Sequence, residues 1–289
     1  MSEKNRNLVV RVATALVLLP GVLWLTWQGG LAFALLVSAA AAMCALELNM
    51  LPAQLPDTGS EIEEIEMESA VITGAAIASV GGAFMIPLLH ELRLGLVTTK
   101  FVIAAVLVVA FADALFFEEK LESAPRRIGL AVVGVAWFGL FMAALVRLRQ
   151  LDRGEWWIVL TLSVTWLNDT GAYFAGRAFG KHKLYERISP KKTWEGAIGG
   201  AVASVVAALV IQHLWLPRVP AWGAAAIGAG AAVIGPIGDL SESMIKRAFG
   251  AKDSGRLLPG HGGILDRIDA LLFNAPFVLL LARLLTTAG

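Results

Sequence analysis

The chain has 289 residues, 57% of them hydrophobic and only 16% charged, with a net charge of +1. A soluble domain carries about 25% charged residues, so an ordinary soluble fold is excluded, and apolar runs of about 20 residues point to helices that cross a bilayer. A single cysteine, Cys44, excludes an intrachain disulfide and a cysteine-built metal site, and four scattered histidines (His90, His182, His213, His261) form no cluster, so a metal here would be a hard cation held by carboxylates, such as Mg²⁺ or Mn²⁺.

The expected class is all-α, a polytopic transmembrane helical protein of about nine spans with boundaries good to a few residues. The spans lie near 8–27, 31–49, 70–90, 100–117, 128–146, 156–175, 196–216, 221–243 and 264–286. Lys4 and Arg6 precede the first run in the manner of a signal peptide. Arg11 within that run, its spanning length and the lack of a clean small-x-small cleavage site favour a helix that is retained. Gln28-Gly29-Gly30 predicts a tight turn joining the first two spans into a helical hairpin. Trp24, Trp27, Trp156 and Trp157 fall near span ends, where amphipathic rings favour the interface. Residues 51–69 form an acidic connection. Ser60 followed by Glu63 fits a capping box, so a short surface helix and a solvated loop are both open there. Residues 1–150 read as transmembrane scaffold, and residues 151–289 as the region that carries chemistry, within one integrated membrane domain.

The basic residues orient the chain. On this span count, 17 of the 24 Lys and Arg lie on the side of the N-terminus, concentrated at 118–127, 176–195 and 244–267. The positive-inside rule then places these loops in the cytoplasm.

Three stretches stand out. The first is Asn168-Asp169-Thr170-Gly171-Ala172-Tyr173-Phe174-Ala175-Gly176-Arg177. Asp169 lies within a span, where a carboxylate marks either a functional site or a hydrogen bond to a neighbouring helix. The small residues around it permit close helix approach. The second is Ser189-Pro190-Lys191-Lys192-Thr193-Trp194-Glu195. Here Ser189 is expected to cap a helix with Pro190 at its first position. Ser189, Thr193 and the helix-start amides would then offer donors to an anion, beside the charges of Lys191 and Lys192. The bland alternative is a basic topology signal.

The third runs from Asp239 to Asp269. It gathers Asp239, Glu242, Asp253, Asp266 and Asp269 with Lys246, Arg247, Lys252, Arg256 and Arg267. Asp239, Glu242 and Ser243 share one helical face, and Asp266 and Asp269 are again three apart. Between them, Pro259-Gly260-His261-Gly262-Gly263 lets backbone amides approach a ligand closely. Carboxylates at two helix ends flanking a glycine loop can hold a divalent metal, and the surrounding cations can neutralise a polyphosphate. The alternative is an ion-pair network that only joins helices. His261 could serve as a base, contact phosphate or order the loop, and binding or ordering is favoured.

These residues resemble the phosphatidate cytidylyltransferase family, also called CDP-diacylglycerol synthase. The signature reads Ser243-x-Ile245-Lys246-Arg247-x4-Lys252-Asp253-x-Gly255-x2-Leu258-Pro259-x-His261-Gly262-Gly263-Ile264-x-Asp266-Arg267-Ile268-Asp269, with the Asp169 and Ser189–Glu195 elements matching as well. The match covers roughly residues 160–275. The resemblance implies the reaction of CTP with phosphatidate to give CDP-diacylglycerol and pyrophosphate, by metal-assisted nucleotidyl transfer in phospholipid biosynthesis. It implies Mg²⁺, with K⁺ as an optional second ion, on Asp239 and Asp266, with Asp269 as a further ligand. Lys246 joins these carboxylates as a catalytic group. Ser189, Lys191, Lys192, Thr193, Glu195, Asp169, Arg247, Lys252, His261 and Arg267 are the implied substrate contacts. The expected setting is the cytoplasmic membrane of a bacterium with the site facing the cytoplasm. The partners are CTP, phosphatidate and membrane lipid, with no nucleic acid and with homodimerisation open. Rival readings are a CTP-using lipid kinase that transfers the γ-phosphate, a transporter using Asp169 and Asp239 as an ion path, and a structural membrane protein.

Overall fold

The computed structural model describes residues 20–51, 73–117, 121–186, 188–255 and 262–287. Among the described residues the elements are helices apart from one short hairpin, and seven of those helices are long and apolar enough to cross a membrane. The chain is therefore an integral membrane protein. Those seven correspond to seven of the nine expected spans. The first expected span falls largely outside the described residues, of which 20–28 are helical. The sixth is a helix of 26 residues whose polar content keeps it out of the apolar set. The expected capping box at Ser60 and Glu63 also lies outside the described residues. By packing, the chain forms two units.

The first unit comprises Met1–Val146 and Ile245–Arg267. Its helices are α1 (Gly30–Met50), α2 (Gly74–Glu91), α3 (Gly95–Phe117), α4 (Ala124–Gly134) and the start of α5 (Phe141–Arg149). A six-residue π-helical segment, Val135–Leu140, joins α4 to α5, so Ala124–Arg149 forms one continuous span. Gly29 sits between residues 20–28 and α1 at φ 66°, ψ −154°, a conformation open essentially to glycine alone, and the predicted turn thus falls at this residue. Thr73 caps α2 by accepting from the Ala76 amide at 3.1 Å. Asp113 of α3 reaches across and accepts from the Gly74 amide at 2.9 Å, satisfying a second orphan donor inside the apolar frame. The unit's core is built from Ala75, Ile86, Val106, Ala110, Ala131, Val135 and Ala143. Small residues predominate, which suits helices associating in lipid through close contact.

The second unit comprises Arg147–Met244 and Ile268–Gly289. Its elements are α6 (Gly154–Phe179), β1 (Lys183–Tyr185), β2 (Ser189–Thr193), α7 (Trp194–Trp215), most of α8 (Ala221–Ala248) and most of α9 (Leu265–Thr287). Helices α6 and α7 cross at backbone distance. A Cβ on Gly200 would lie 2.7 Å from the Asn168 carbonyl oxygen, and one on Gly196 2.8 Å from that of Ala172. The Ser204 hydroxyl donates to the Gly228 carbonyl at 2.8 Å and ties α7 to α8. The Asn274 amide donates to Thr165 Oγ1 at 2.9 Å and ties α9 to α6. Gly238 of α8 lies so close to α9 that an added Cβ would sit 2.6 Å from the Asp269 carbonyl oxygen. These contacts pack the helices that carry Asp169, Asp239 and Asp269 against one another.

Candidate active site

The expected helix start at Ser189-Pro190 is not observed. Ser189–Thr193 form strand β2, paired antiparallel with β1 through Lys183–Thr193 and Tyr185–Ser189. A two-stranded ribbon has solvent-facing edges, where proline's missing N–H is tolerated. The helix begins four residues later. Thr193 is the N-cap of α7, accepting from the Gly196 amide at 3.2 Å. The hairpin is further fixed by Lys183 Nζ, which donates to the Pro190 carbonyl at 2.6 Å.

Glu195, expected to contact substrate, points to the base of this hairpin. Its carboxylate accepts from the amides of Lys181 and His182 and lies 2.7 Å from His182 Nδ1. These contacts tie the start of α7 to the base of the hairpin that carries Lys191 and Lys192.

Those lysines open into a cavity of about 400 Å³ in the second unit, lined by Asn168, Asp169, Tyr173, Arg177, Lys191, Lys192, Thr193, Pro236 and Asp239. The α6 and β2 elements expected at the site thus meet in one concave surface. Its wall combines three cations with two carboxylates, and Ala172, Gly176 and Ala197 supply apolar surface. The volume is within the usual range for a small-molecule site, about 300–1,000 Å³.

Asp239 forms the floor and is the hinge between cavity and carboxylate cluster. Its Oδ2 lies 2.6 Å from Lys192 Nζ, and its Oδ1 accepts from Ser243 Oγ at 3.4 Å. Asp239, Glu242 and Asp269 bring one carboxylate oxygen each within 4.8 Å of one another. Glu242 is 1% exposed. Three hard oxygen donors at this spacing are a set that a divalent cation accepts. Sequence reasoning placed Glu242 on the face of Asp239 but left it out of the ligand set. Its spacing of three from Asp239 was the signal that could have included it.

In the first unit, Lys246 and Asp266 form a buried ion pair at 2.5 Å, their side chains 10% and 8% exposed. Asp266 Oδ2 also accepts from the amides of Ser254 at 3.0 Å and Gly263 at 2.9 Å. Arg247 donates to the Ala251 carbonyl at 2.7 Å. Lys252 and Arg267 are exposed. The expected contact His261 lies outside the described residues.

Comparison with known proteins agrees with this chemistry. A model of the cytidylyltransferase family matches residues 9–285. A protein named phosphatidate cytidylyltransferase from Brucella suis biovar 1 (strain 1330) is 36% identical over 275 residues, covering 95% of this chain and 93% of that protein. Proteins of the same name from Staphylococcus saprophyticus and Bacillus subtilis (strain 168) are each 40% identical over 158 residues, covering 55% and 54% of this chain and 58% and 59% of their own lengths. Matched from its first described helix to its last, this chain belongs to the cytidylyltransferase family.

Proposed function

We propose that the chain is a phosphatidate cytidylyltransferase, joining CTP to phosphatidate to give CDP-diacylglycerol and pyrophosphate. The observation that carries the reading is the direct contact between Lys192, on the wall of the cavity, and Asp239, in the carboxylate triad. That arrangement puts polyphosphate-binding charge and metal-binding charge side by side, as transfer from a nucleoside triphosphate requires. The name borne by the relatives supports the choice of substrates.

In this reaction an oxygen of the lipid phosphate forms a bond to the α-phosphorus of CTP. The bond from that phosphorus to the bridging oxygen breaks, and the electron pair leaves with pyrophosphate. A phosphate monoester has its second pKa near 6, so it is about 90% dianionic at pH 7 and offers an ionised oxygen that needs no general base. The protein's task is positioning and charge stabilisation. Lys191, Lys192 and Arg177 neutralise the phosphates, and Thr193 fixes the start of α7 beneath them. Asp239, Glu242 and Asp269 would hold Mg²⁺, with K⁺ as an optional neighbour, and Asp266 is kept as a further proposed ligand. A bound divalent ion would supply Lewis-acid neutralisation of the phosphate oxygens. Arg247, Lys252, His261 and Arg267 remain proposed substrate contacts from the signature loop.

A bacterial cytoplasmic membrane is the proposed setting, with the basic hairpin facing the cytoplasm, where it meets soluble CTP while the lipid stays in the bilayer. The test is stoichiometry in detergent: with phosphatidate, Mg²⁺ and CTP, one pyrophosphate should appear per CDP-diacylglycerol. CTP consumption that persists without phosphatidate would reject the reading.

A further inference from the structure

The signature loop is anchored from a helix that the sequence marks only as scaffold. Glu47 lies in the last turn of α1 and is 3% exposed. Its Oε2 accepts from Ser254 Oγ and from the Leu265 amide, each at 2.9 Å, and its Oε1 accepts from the Ile264 amide at 2.9 Å. The partners are more than 200 residues away in the chain. They bracket the loop, since Ser254 lies at its beginning and Ile264 and Leu265 at its end, where α9 starts.

The placement runs against local preference. A carboxylate in the last turn of a helix faces the negative end of that helix's dipole, whereas the first amides of α9 form a positive end that favours it. Glu47 therefore works for α9, not for its own helix. Gly255 and Gly263 pack closely against the carboxylate. A Cβ on Gly255 would lie 2.7 Å from Glu47 Oε1, and one on Gly263 would lie 2.5 Å from Oε2 and overlap Ser254 Oγ. Both glycines leave room for the side chain while their neighbours bond to it. The amides of Ser254 and Gly263 are meanwhile held by Asp266. The two described ends of the loop are thus held by two carboxylates, one from α1 and one from the first turn of α9. Asp269 follows Leu265 by one helical turn, so the start of α9 also sets the phase at which its metal-binding carboxylate is presented.

We propose that Glu47 is a positioning residue for nucleotidyl transfer, locking Ser254, Ile264 and the start of α9 so that the carboxylates of that helix are held ready for the metal. The inference rests on the transferase reading for its activity readout, but the locking itself can be measured without turnover.

The experiment compares the full chain with Glu47→Gln and Ser254→Ala. Glutamine keeps the shape but presents an NH₂ to donors that need an acceptor. Hydrogen exchange is measured on the metal-free proteins. Exchange of the 262–267 amides should accelerate in both variants while α2 and α3 keep wild-type protection. In the transfer assay, kcat should fall about tenfold or more, the range seen for groups that orient metal ligands. The Mg²⁺ needed for half-maximal rate should rise with it. A merely structural role would reduce the active fraction and leave the Mg²⁺ needed for half-maximal rate unchanged. Wild-type exchange at 262–267 with wild-type Mg²⁺ dependence would overturn the proposal. So would an equal loss of protection in all helices. If Glu47→Gln does not survive extraction, Ser254→Ala, which leaves two of the three bonds in place, is judged by the same criteria. Wild-type turnover is measured first. Its absence would reject the transferase reading, whereas normal turnover in both variants would reject the positioning role alone.

Discussion

Replacing Lys192 with alanine separates a site role from a stabilising one. Lys192 and Asp239 form an ion pair at 2.6 Å, with side chains 26% and 33% exposed. At that exposure solvent screens the pair, and its contribution to stability is about 0.2–1 kcal/mol. The thermal midpoint should therefore move by less than about 4 °C. The effect on catalysis should be far larger, because charge accumulates on the phosphates in the transition state beside the same ammonium group. Loss of one such preorganised donor costs about 2.7–4 kcal/mol, or 10²–10³ in kcat. The assay is incorporation of α-labelled CTP into lipid at saturating Mg²⁺, read beside a melting curve of the same preparation. Lys192→Arg should recover part of the rate, since the charge remains while the geometry changes. Activity within about threefold of wild type would refute the reasoning, as would a rate loss that merely follows a large drop in midpoint.

Three other outcomes follow from the same geometry. Asp239→Ala should abolish turnover with α-helical content retained, and residual activity would remove Asp239 from the ligand set. Stripping divalent ions with a chelator should stop the reaction and added Mg²⁺ should restore it, while chelator-resistant turnover would show that the carboxylate triad serves another purpose. Gly200→Ala should destabilise the second unit by about 1–3 kcal/mol, because its Cβ would meet the Asn168 carbonyl at 2.7 Å. A wild-type melting point for that variant would mean that α6 and α7 can separate freely.

The membrane frame was legible because spanning helices need long apolar runs, and seven such helices are present among the described residues. Helix α6 was legible as well, although Asn168, Asp169 and Arg177 make it less apolar than the rest, since Trp156–Leu167 runs without a charge. Asp239 and Asp269 could be found because charges at helical spacing stand out against an apolar background. The Ser189 cap was misread for a local reason. Ser-Pro is a common helix start, but the same dipeptide suits the edge of a ribbon, and only the pairing of Ser189 with Tyr185 decides between them. Glu47 could not be found by spacing at all. A single glutamate at the end of an apolar helix looks like a boundary charge, and its partners Ser254, Ile264 and Leu265 are brought to it only by tertiary folding.

The most direct measurement of the central claim follows the two ends of the nucleotide separately. Purified chain is given phosphatidate and Mg²⁺ with CTP labelled on the α-phosphate in one reaction and on the γ-phosphate in another. Cytidylyl transfer predicts that α-label enters the lipid while γ-label leaves as pyrophosphate. Appearance of γ-label in lipid, or of neither label in a folded protein, would contradict it.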